Sequence, residues 1–444
     1  MLSVLTGCGK SGSVSKKNIP AEETAESKKI TLSDSGITVD GAAISDDETA
    51  AVYAAQDIVY YEEGQGVAYG AGTDADAHSQ EEADAHTVVH ITQPGTYTLS
   101  GTLSAGQIAV DLGDGAEEDP EAVVTIVLDG VDITCTVASA IIFYRVYECG
   151  SADMETATQT VDTSAAGANV VIADGTENRV TGSHVAKIYK PESVTLNADG
   201  TAVEEAKKLH KYDGALYSKM SMNVSGGEAG TGTLEIVADN EGLDSELHLT
   251  INSGNIHILA GNDGINTNED GVSVTTINGG TLRIEVTGET GEGDGIDSNG
   301  WLVINGGMVI AAACSDSADS GLDSDNGIYI NGGIVIASGN MYDAVDGGDQ
   351  TYAVFQFAQK QSGGQTYTLK NAAGETILEM TPENAFQYLV VSAPGLAEGE
   401  YTLWCGDTQL GASTGSVGGP SGGMGRPDGQ PLQVPRQGVD MTMQ

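Results

Sequence analysis

Between residues 213 and 350 apolar and polar side chains alternate in short runs that are broken by glycine. Leu282 and Ile284 flank Arg283, Leu302 and Ile304 flank Val303, and Ile328 and Ile330 flank Tyr329. Period-two alternation predicts strands, and no stretch here carries a 3.6-residue apolar period of helical length. Two signatures punctuate the strands. One is a tight D-G-I-[DN]-[ST] corner, in the forms DGALYS at 213, EGLDS at 241, DGINT at 263, DGIDS at 294, SGLDS at 320 and DAVDG at 343. The other is I-N-G-G or a close variant, ending at Gly227, Gly254, Gly280, Gly307 and Gly333, with spacings of 27, 26, 27 and 26 residues. Short strands, glycine at the bends and about 26 residues per repeat predict an all-β solenoid, a right-handed, three-sided parallel β-helix.

The same alternation occurs earlier, in 88–103, 106–112, 122–134 and 169–180, so the repeats are expected to run over 88–350. It lapses between 181 and 212, where AVEEAKKLH (202–210), with Glu204 and Lys208 four residues apart, predicts a short helix. The chain divides into a tether (1–29), an acidic N-terminal extension (30–87), the β-helix (88–350), a small β end-piece (351–410) that caps the last repeat, and a Gly/Pro-rich tail (411–444) expected to be disordered.

Charge narrows the function. The chain of 444 residues carries 64 Asp and Glu against 18 Lys and Arg, a formal net charge of −46. Such a field repels nucleic acid and anionic lipid. With 39 % hydrophobic residues the chain can still bury a core. No later run approaches a membrane span. At the front, LTGC (5–8) resembles a bacterial lipobox, which puts acyl chains on Cys8, although the basic start and long apolar stretch of a full export signal are missing from the first residues. The expectation is an extracellular, cell-surface lipoprotein, monomeric and held to the membrane by its lipid alone. Of the other cysteines, Cys135 and Cys149 are near in sequence while Cys314 and Cys405 are distant, and sequence does not choose among the three possible pairings.

Stacking the corners puts like charges over one another. Their first positions read Asp213, Glu241, Asp263, Asp294, Ser320 and Asp343, and their fourth positions Leu216, Asp244, Asn266, Asp297, Asp323 and Asp346. Strands lie about 4.8 Å apart. At that distance two like charges repel by roughly 1 kcal/mol in water and about 3–4 kcal/mol at an effective dielectric of 20. The span 213–350 holds 22 acidic residues against only Lys219 and Arg283, so internal ion pairs do not neutralise the file. Hard divalent cations do, because Ca²⁺ takes six to eight oxygens from carboxylates, amides and carbonyls. The expected calcium ligands are Asp213, Asp244, Asp263, Asn266, Asp294, Asp297, Asp323, Asp343 and Asp346. Asp and Gly are also good turn formers, and the competing reading is that these are solvated corner residues.

The run from VVHITQPGTYTLSGTL through VTIVLDGVDIT, VIADGTENRVTG and DGALYSKMSMNVSGG into the INGG repeats resembles the bacterial cell-surface carbohydrate-binding β-helix family. That family is similar in fold to calcium-dependent pectate lyases, and its members are described as binding cellulose and pectin-type polysaccharides. The resemblance covers about residues 88–405 and implies a right-handed parallel β-helix, bound calcium and a polysaccharide ligand. The family's corners often carry a lysine two or three residues after D-G-I. Here only Lys219 keeps it, while Glu246, Asn268, Asn299 and Asp325 stand at the comparable places. That departure argues against lysine-based elimination.

If the protein were a lyase, Lys219 would be the base and calcium would stabilise the charge developing next to the substrate carboxylate. A binding module fits better, and a purely structural adhesin or spacer is the remaining alternative. Aromatic residues for sugar stacking are few: the repeats offer Tyr217, Trp301, Tyr329 and Tyr342, of which Tyr329 falls in an outward column with Val303 and Trp301 stands just after a corner. Charge offers another route, because seven of the 18 basic residues, Lys211 and Lys219 among them, fall within 179–219, just before the acidic corners. His78 and His86, among the acids of TDADAHSQEEADAH, read as residues of an ordinary loop rather than a zinc site.

Overall fold

The computed structural model describes residues 27–417. Within them it has thirty-five strands, one five-residue helix (Gln80–Asp84) and two short 3-10 turns. The chain is mostly β, with long parallel ladders consistent with a β-helix. No helix among the described residues is long and apolar enough to cross a membrane.

Three ladders organise the repeats. The first carries the strands that run into I-N-G-G: Ala168–Ile172, Met222–Gly226, His248–Ile251, Val274–Ile277, Trp301–Ile304 and Gly327–Ile330, each paired parallel with the next. The second follows the glycines with Glu177–Gly182, Thr233–Ala238, Asn255–Ala260, Thr281–Val286, Met308–Ala312 and Ile334–Gly339. The third takes Gly106–Asp111, Ile141–Arg145, Gly214–Ser218, Glu241–Ser245 and Ile265–Thr267. It continues as a single bridge, Ile265 to Ile296.

The packing explains both signatures. Val224, Ile251, Ile277, Ile304 and Ile330 stack in register down the first ladder, and all are buried in one continuous core. The second glycine of I-N-G-G turns the chain from the first ladder to the second with a positive φ, +86° at Gly280, +82° at Gly307 and +87° at Gly333. A Cβ on Gly280 would also lie 2.5 Å from the Gly254 carbonyl oxygen, so only glycine fits. In the D-G-I-[DN]-[ST] segments the apolar third residue (Leu243, Ile265, Ile296 or Leu322) enters the core. The hydroxyl of Ser245, Ser298 or Ser324 donates to the backbone carbonyl three residues on, closing the bend.

Several expectations are revised. Segments 214–218, 241–245 and 265–267, expected as tight corners, are short strands in their own right. Residues 202–210 form no helix. Val203–Glu205 and Lys208–Tyr212 are strands, the latter antiparallel to Val185–Tyr189. A nine-residue helix is marginal in isolation, whereas the strand satisfies its backbone against a neighbour and buries Tyr212 beside Tyr217. Parallel pairing also begins before residue 88, because Ser27–Leu32 already pairs with the strand Gly95–Leu103.

At the other end Phe386–Ser392 runs antiparallel to Ile334–Gly339, covering an edge that would otherwise offer unpaired amides. A second apolar cluster around Phe355, Leu369, Phe386 and Leu403 fills the end-piece. Its last strand, Thr408–Gly415, extends into the segment expected to be disordered. The tail beyond Val417, Cys8 and most of the tether lie outside the described residues. The four described cysteines are free thiols.

Candidate metal centre and sugar-binding surfaces

The third ladder carries the chemistry. Its register stacks Tyr217, Asp244 and Asn266, and the Ile265–Ile296 bridge brings Asp297 next. Asp323 follows, with its N–H donating to the Ile296 carbonyl. The acidic file therefore exists, but its first member is Tyr217 rather than Leu216, which points into the core instead. An inserted residue causes the slip: Gly214, not Asp213, pairs with Glu241.

That slip brings Asp213, Glu241 and Asp244 together, with one oxygen of each within 4.8 Å of the others. Their exposures are 5 %, 4 % and 0 %. Burial, with the neighbouring carboxylates adding, pushes Glu241 and Asp244 well above the ordinary carboxylate range. Glu241 Oε2, Asp244 Oδ2 and the adjacent Asn266 Oδ1 are buried and without a hydrogen-bond donor. Asn266 is turned by donating Nδ2 to Glu241 Oε1 at 3.1 Å, and Asn268 Nδ2 donates to the other oxygen of Asp244 at 2.7 Å. Buried acceptors without a donor are costly. Three buried oxygens left open around a carboxylate triad fit a cation, and an all-oxygen donor set suits a hard one. The triad could bind a metal ion.

Further along the file the acids have partners of their own. Asp263 Oδ1 accepts the Asp294 N–H and Asp294 Oδ1 accepts the Ser320 N–H, both at 2.6 Å. Each carboxylate thus stitches one repeat to the next. Burial raises Asp263 to about 7 and lifts Asp294 and Asp297 well above their usual range. Asp323 is raised too, again first by burial. Asp343 and Asp346 leave the file. The strand Val345–Gly347 pairs in the first ladder, where the Asp346 carboxylate accepts the Ile328 N–H at 3.2 Å and Asp343 accepts the Ala344 N–H. The DAVDG match ends the repeat array and does not add a corner to the file.

The antiparallel arm 185–212 brings its lysines to the Asp213 side of the triad. Lys187, Lys208 and Lys211 line a polar pocket of about 400 Å³ with Asp213, Glu246 and Asn268. Lys211 Nζ lies 2.6 Å from Asp213 Oδ2. Burial alone would lower its pKa, but Asp213, with Glu241 and Asp244 behind it, raises it to about 12. Lys208 Nζ and the Tyr217 hydroxyl both reach Glu246 Oε1, at 2.8 and 2.5 Å. Glu269, Asp270 and Asn299 complete the lining, so three lysines meet four carboxylates in it, and of the triad Asp213 alone reaches the pocket.

A model for carbohydrate-binding domain-containing proteins matches residues 85–354, well over half of the chain. The chain belongs to this family. A carbohydrate-binding domain-containing protein of Acetivibrio thermocellus is 31 % identical over 173 residues, a match covering 39 % of this chain and 45 % of the relative. The chain thus spans about half the length of that relative. A polysaccharide lyase-like protein from C. thermocellum, solved as a gadolinium derivative, aligns with a TM-score of 0.38 at 22 % identity, covering 69 % of this chain and 93 % of its own.

Within this family member, the other sequence candidates are dispersed. Lys219 is exposed just past the third-ladder strand and heads a file with Glu246, Asn268, Asn299 and Asp325, as the pairing of Ser218 with Ser245 and of Ser245 with Thr267 requires. It does not line the lysine pocket. Trp301 and Tyr329 sit on the first ladder, away from the triad. His86 is buried and satisfied: Nδ1 donates to the Glu82 carbonyl at 2.8 Å and Nε2 accepts the Thr136 N–H at 3.2 Å. His78 and His86 join no metal-binding group among the described residues. Sequence reasoning stacked Glu241 in the file but did not name it a ligand. Its role depends on the extra residue of DGALYS, which aligning the corners on their first letters hides.

Proposed function

We propose that this chain is a calcium-dependent binding module for acidic cell-wall polysaccharide of the pectate type, built on a right-handed, three-sided β-helix and without lyase activity. The observation that carries the reading is the buried cluster of Asp213, Glu241 and Asp244 with open oxygens on Glu241, Asp244 and Asn266, next to which Asp213 lines the pocket of Lys187, Lys208 and Lys211. Calcium is the hard cation best suited to Asp213, Glu241, Asp244 and the Asn266 carbonyl, because it accepts many oxygen ligands in irregular geometry. A triad-bound cation that keeps part of its shell open would accept a uronate carboxylate, and Lys187 would meet a neighbouring uronate, Lys208 and Lys211 being engaged by Glu246 and Asp213. Membership of a carbohydrate-binding family supports the ligand class.

Elimination would need a base beside the cation. The lysine nearest the triad, Lys211, is held protonated by Asp213 and cannot accept a proton at neutral pH. Lys219 is outside the pocket. Acylation of Cys8 would tether the module to the outer face of the cell, and loss of fatty-acid labelling in Cys8→Ser would test that step.

Affinity electrophoresis through polygalacturonate, in calcium and in chelator, tests the whole reading. Retardation that needs calcium, with no rise in ultraviolet absorbance from unsaturated product, is expected. Unsaturated product would make the protein a lyase, and migration unaffected by the polymer would leave it a surface spacer.

A further inference from the structure

One ammonium is built against the buried triad by the local chain. The strand Lys208–Tyr212 runs straight into Asp213, and period-two alternation puts residues 211 and 213 on one side of the chain and Tyr212 on the other. Tyr212 is buried, with its ring centroid 5.4 Å from that of Tyr144 and 5.2 Å from that of Tyr217, and its hydroxyl lies 2.7 Å from His210 Nδ1. This packing fixes the backbone from which Lys211 extends. Lys211 Nζ lies 2.6 Å from Asp213 Oδ2. Among the described residues it is the one lysine paired with a carboxylate of the triad, since Lys208 is taken by Glu246.

The ammonium and the open oxygens use different atoms. Lys211, whose side chain is 40 % exposed, takes Asp213 Oδ2 from the solvent side. The oxygens left without a donor, Glu241 Oε2, Asp244 Oδ2 and Asn266 Oδ1, are all buried. A cation held by these inner oxygens has no need to expel the lysine. The charges then set what that cation is. Ionised, three carboxylates against one ammonium leave the cluster two charges negative. Unbalanced charge is costly where water is excluded, so an ion of two positive charges completes the site. A monovalent ion leaves a negative charge over, and a trivalent one a positive charge. Of the flanking acids, Glu246 has Lys208 as its own counter-ion, and Asp263 turns an oxygen to the Asp294 N–H.

We propose that Lys211 is a resident counter-ion of the metal centre, one that stays in place when the cation binds and sets the selectivity of the centre for divalent ions. The inference rests on the metal-centred part of the proposed function but not on which polymer the protein binds.

The test is titration calorimetry of the full chain with Ca²⁺ and, separately, with La³⁺, in the absence of polysaccharide. Removing the ammonium leaves the cluster three charges negative, so Lys211→Met should raise the ratio of La³⁺ to Ca²⁺ affinity about tenfold or more. Lys211→Gln, which can still donate a hydrogen bond to Asp213, should act in the same way, so the outcome does not hang on how well one variant folds. Lys211→Arg, which keeps the charge, should hold the ratio of the parent. A lysine that merely positioned Asp213 would leave the ratio alone, because lost geometry weakens both ions together. An unchanged ratio in Lys211→Met and Lys211→Gln therefore overturns the proposal, including the case in which both affinities rise equally, as they would if the cation expelled the ammonium. A ratio moved as far by Lys211→Arg as by Lys211→Met overturns it too, since charge would not be the cause. Failure of the parent to bind either ion would remove the metal centre and this inference with it. Calcium binding with the expected ratios but no retention by polygalacturonate would overturn the binding module and leave the counter-ion standing.

Discussion

Asp244 is fully buried, carries an oxygen without a donor and has carboxylates on two sides. Among the described residues Lys211 is the cation that acts on it, and Lys211 is already paired with Asp213. The physical consequence is a pH dependence that calcium should reverse. Burial, and then like charges, raise the folded-state pKa of Glu241, Asp244, Asp294 and Asp297, and bring Asp263 to about 7 from an ordinary value of 3.8. A carboxyl with a raised folded pKa binds its proton more tightly when folded, so the stability it contributes is present below the unfolded pKa and is lost as pH rises through the folded one. In chelator the melting temperature should therefore fall as pH rises from about 4 through 7 and beyond. Saturating calcium, which holds the ionised form, should flatten or invert that slope. A melting temperature that climbs with pH in chelator would contradict the assignment. The acidity of these positions was legible in the sequence, because stacked D-G-I-[DN]-[ST] motifs place carboxylates in a file. Which three converge was not, because DGALYS is one residue longer than the other corners and aligning them on their first letters hides the slip that sets Gly214 beside Glu241.

Elements were legible where a signature tied an apolar position to a bend. The I-N-G-G period predicts parallel strands because isoleucine fills the core and the second glycine supplies the positive φ between ladders. It failed where hydrogen bonding, not periodicity, decides. DAVDG at 343 matches the corner motif but pairs into the first ladder, and the segment expected as a helix is split between strands 203–205, paired with 195–196, and 208–212, paired with 185–189. That arm is held by His184, whose Nε2 lies 3.1 Å from Asp76 and whose Nδ1 lies 3.3 Å from Asp239. Burial alone would lower the His184 pKa, but Asp239 and Asp76 more than offset it and bring it to about 9. A histidine with a raised pKa contributes stability that is fully present below its unfolded value of 6.5 and lost as pH rises through about 9. The melting-temperature gap between the parent and His184→Gln should accordingly be widest near pH 6 and close above pH 9. A gap of constant size across that range would show that the ring acts by packing alone.

At the scale of the molecule the repeats give one chain two differently charged faces. The third ladder gathers buried acids next to a lysine arm, and the first displays neutral amides beside a tyrosine. Both follow from the same repeat, since its D-G-I-[DN]-[ST] segments supply acids to one face and four of its five glycine signatures supply an asparagine to another. The net charge of −46 predicted a need for cations but not their location. The lysines of 185–211 reach the triad only because an irregular insertion folds back as an antiparallel arm, and such a long-range contact leaves no local trace.

The most direct test of the account is the affinity of an oligogalacturonide measured by titration calorimetry at a series of fixed free-calcium concentrations, for the parent and for Glu241→Gln. Affinity in the parent should rise with calcium until the triad is filled, and Glu241→Gln should shift that rise to about tenfold higher calcium, or abolish it, as expected when one of a few charged ligands is removed. Equal affinity at all calcium concentrations, or a calcium response untouched by Glu241→Gln, would contradict the claim that the buried triad is where metal and sugar meet.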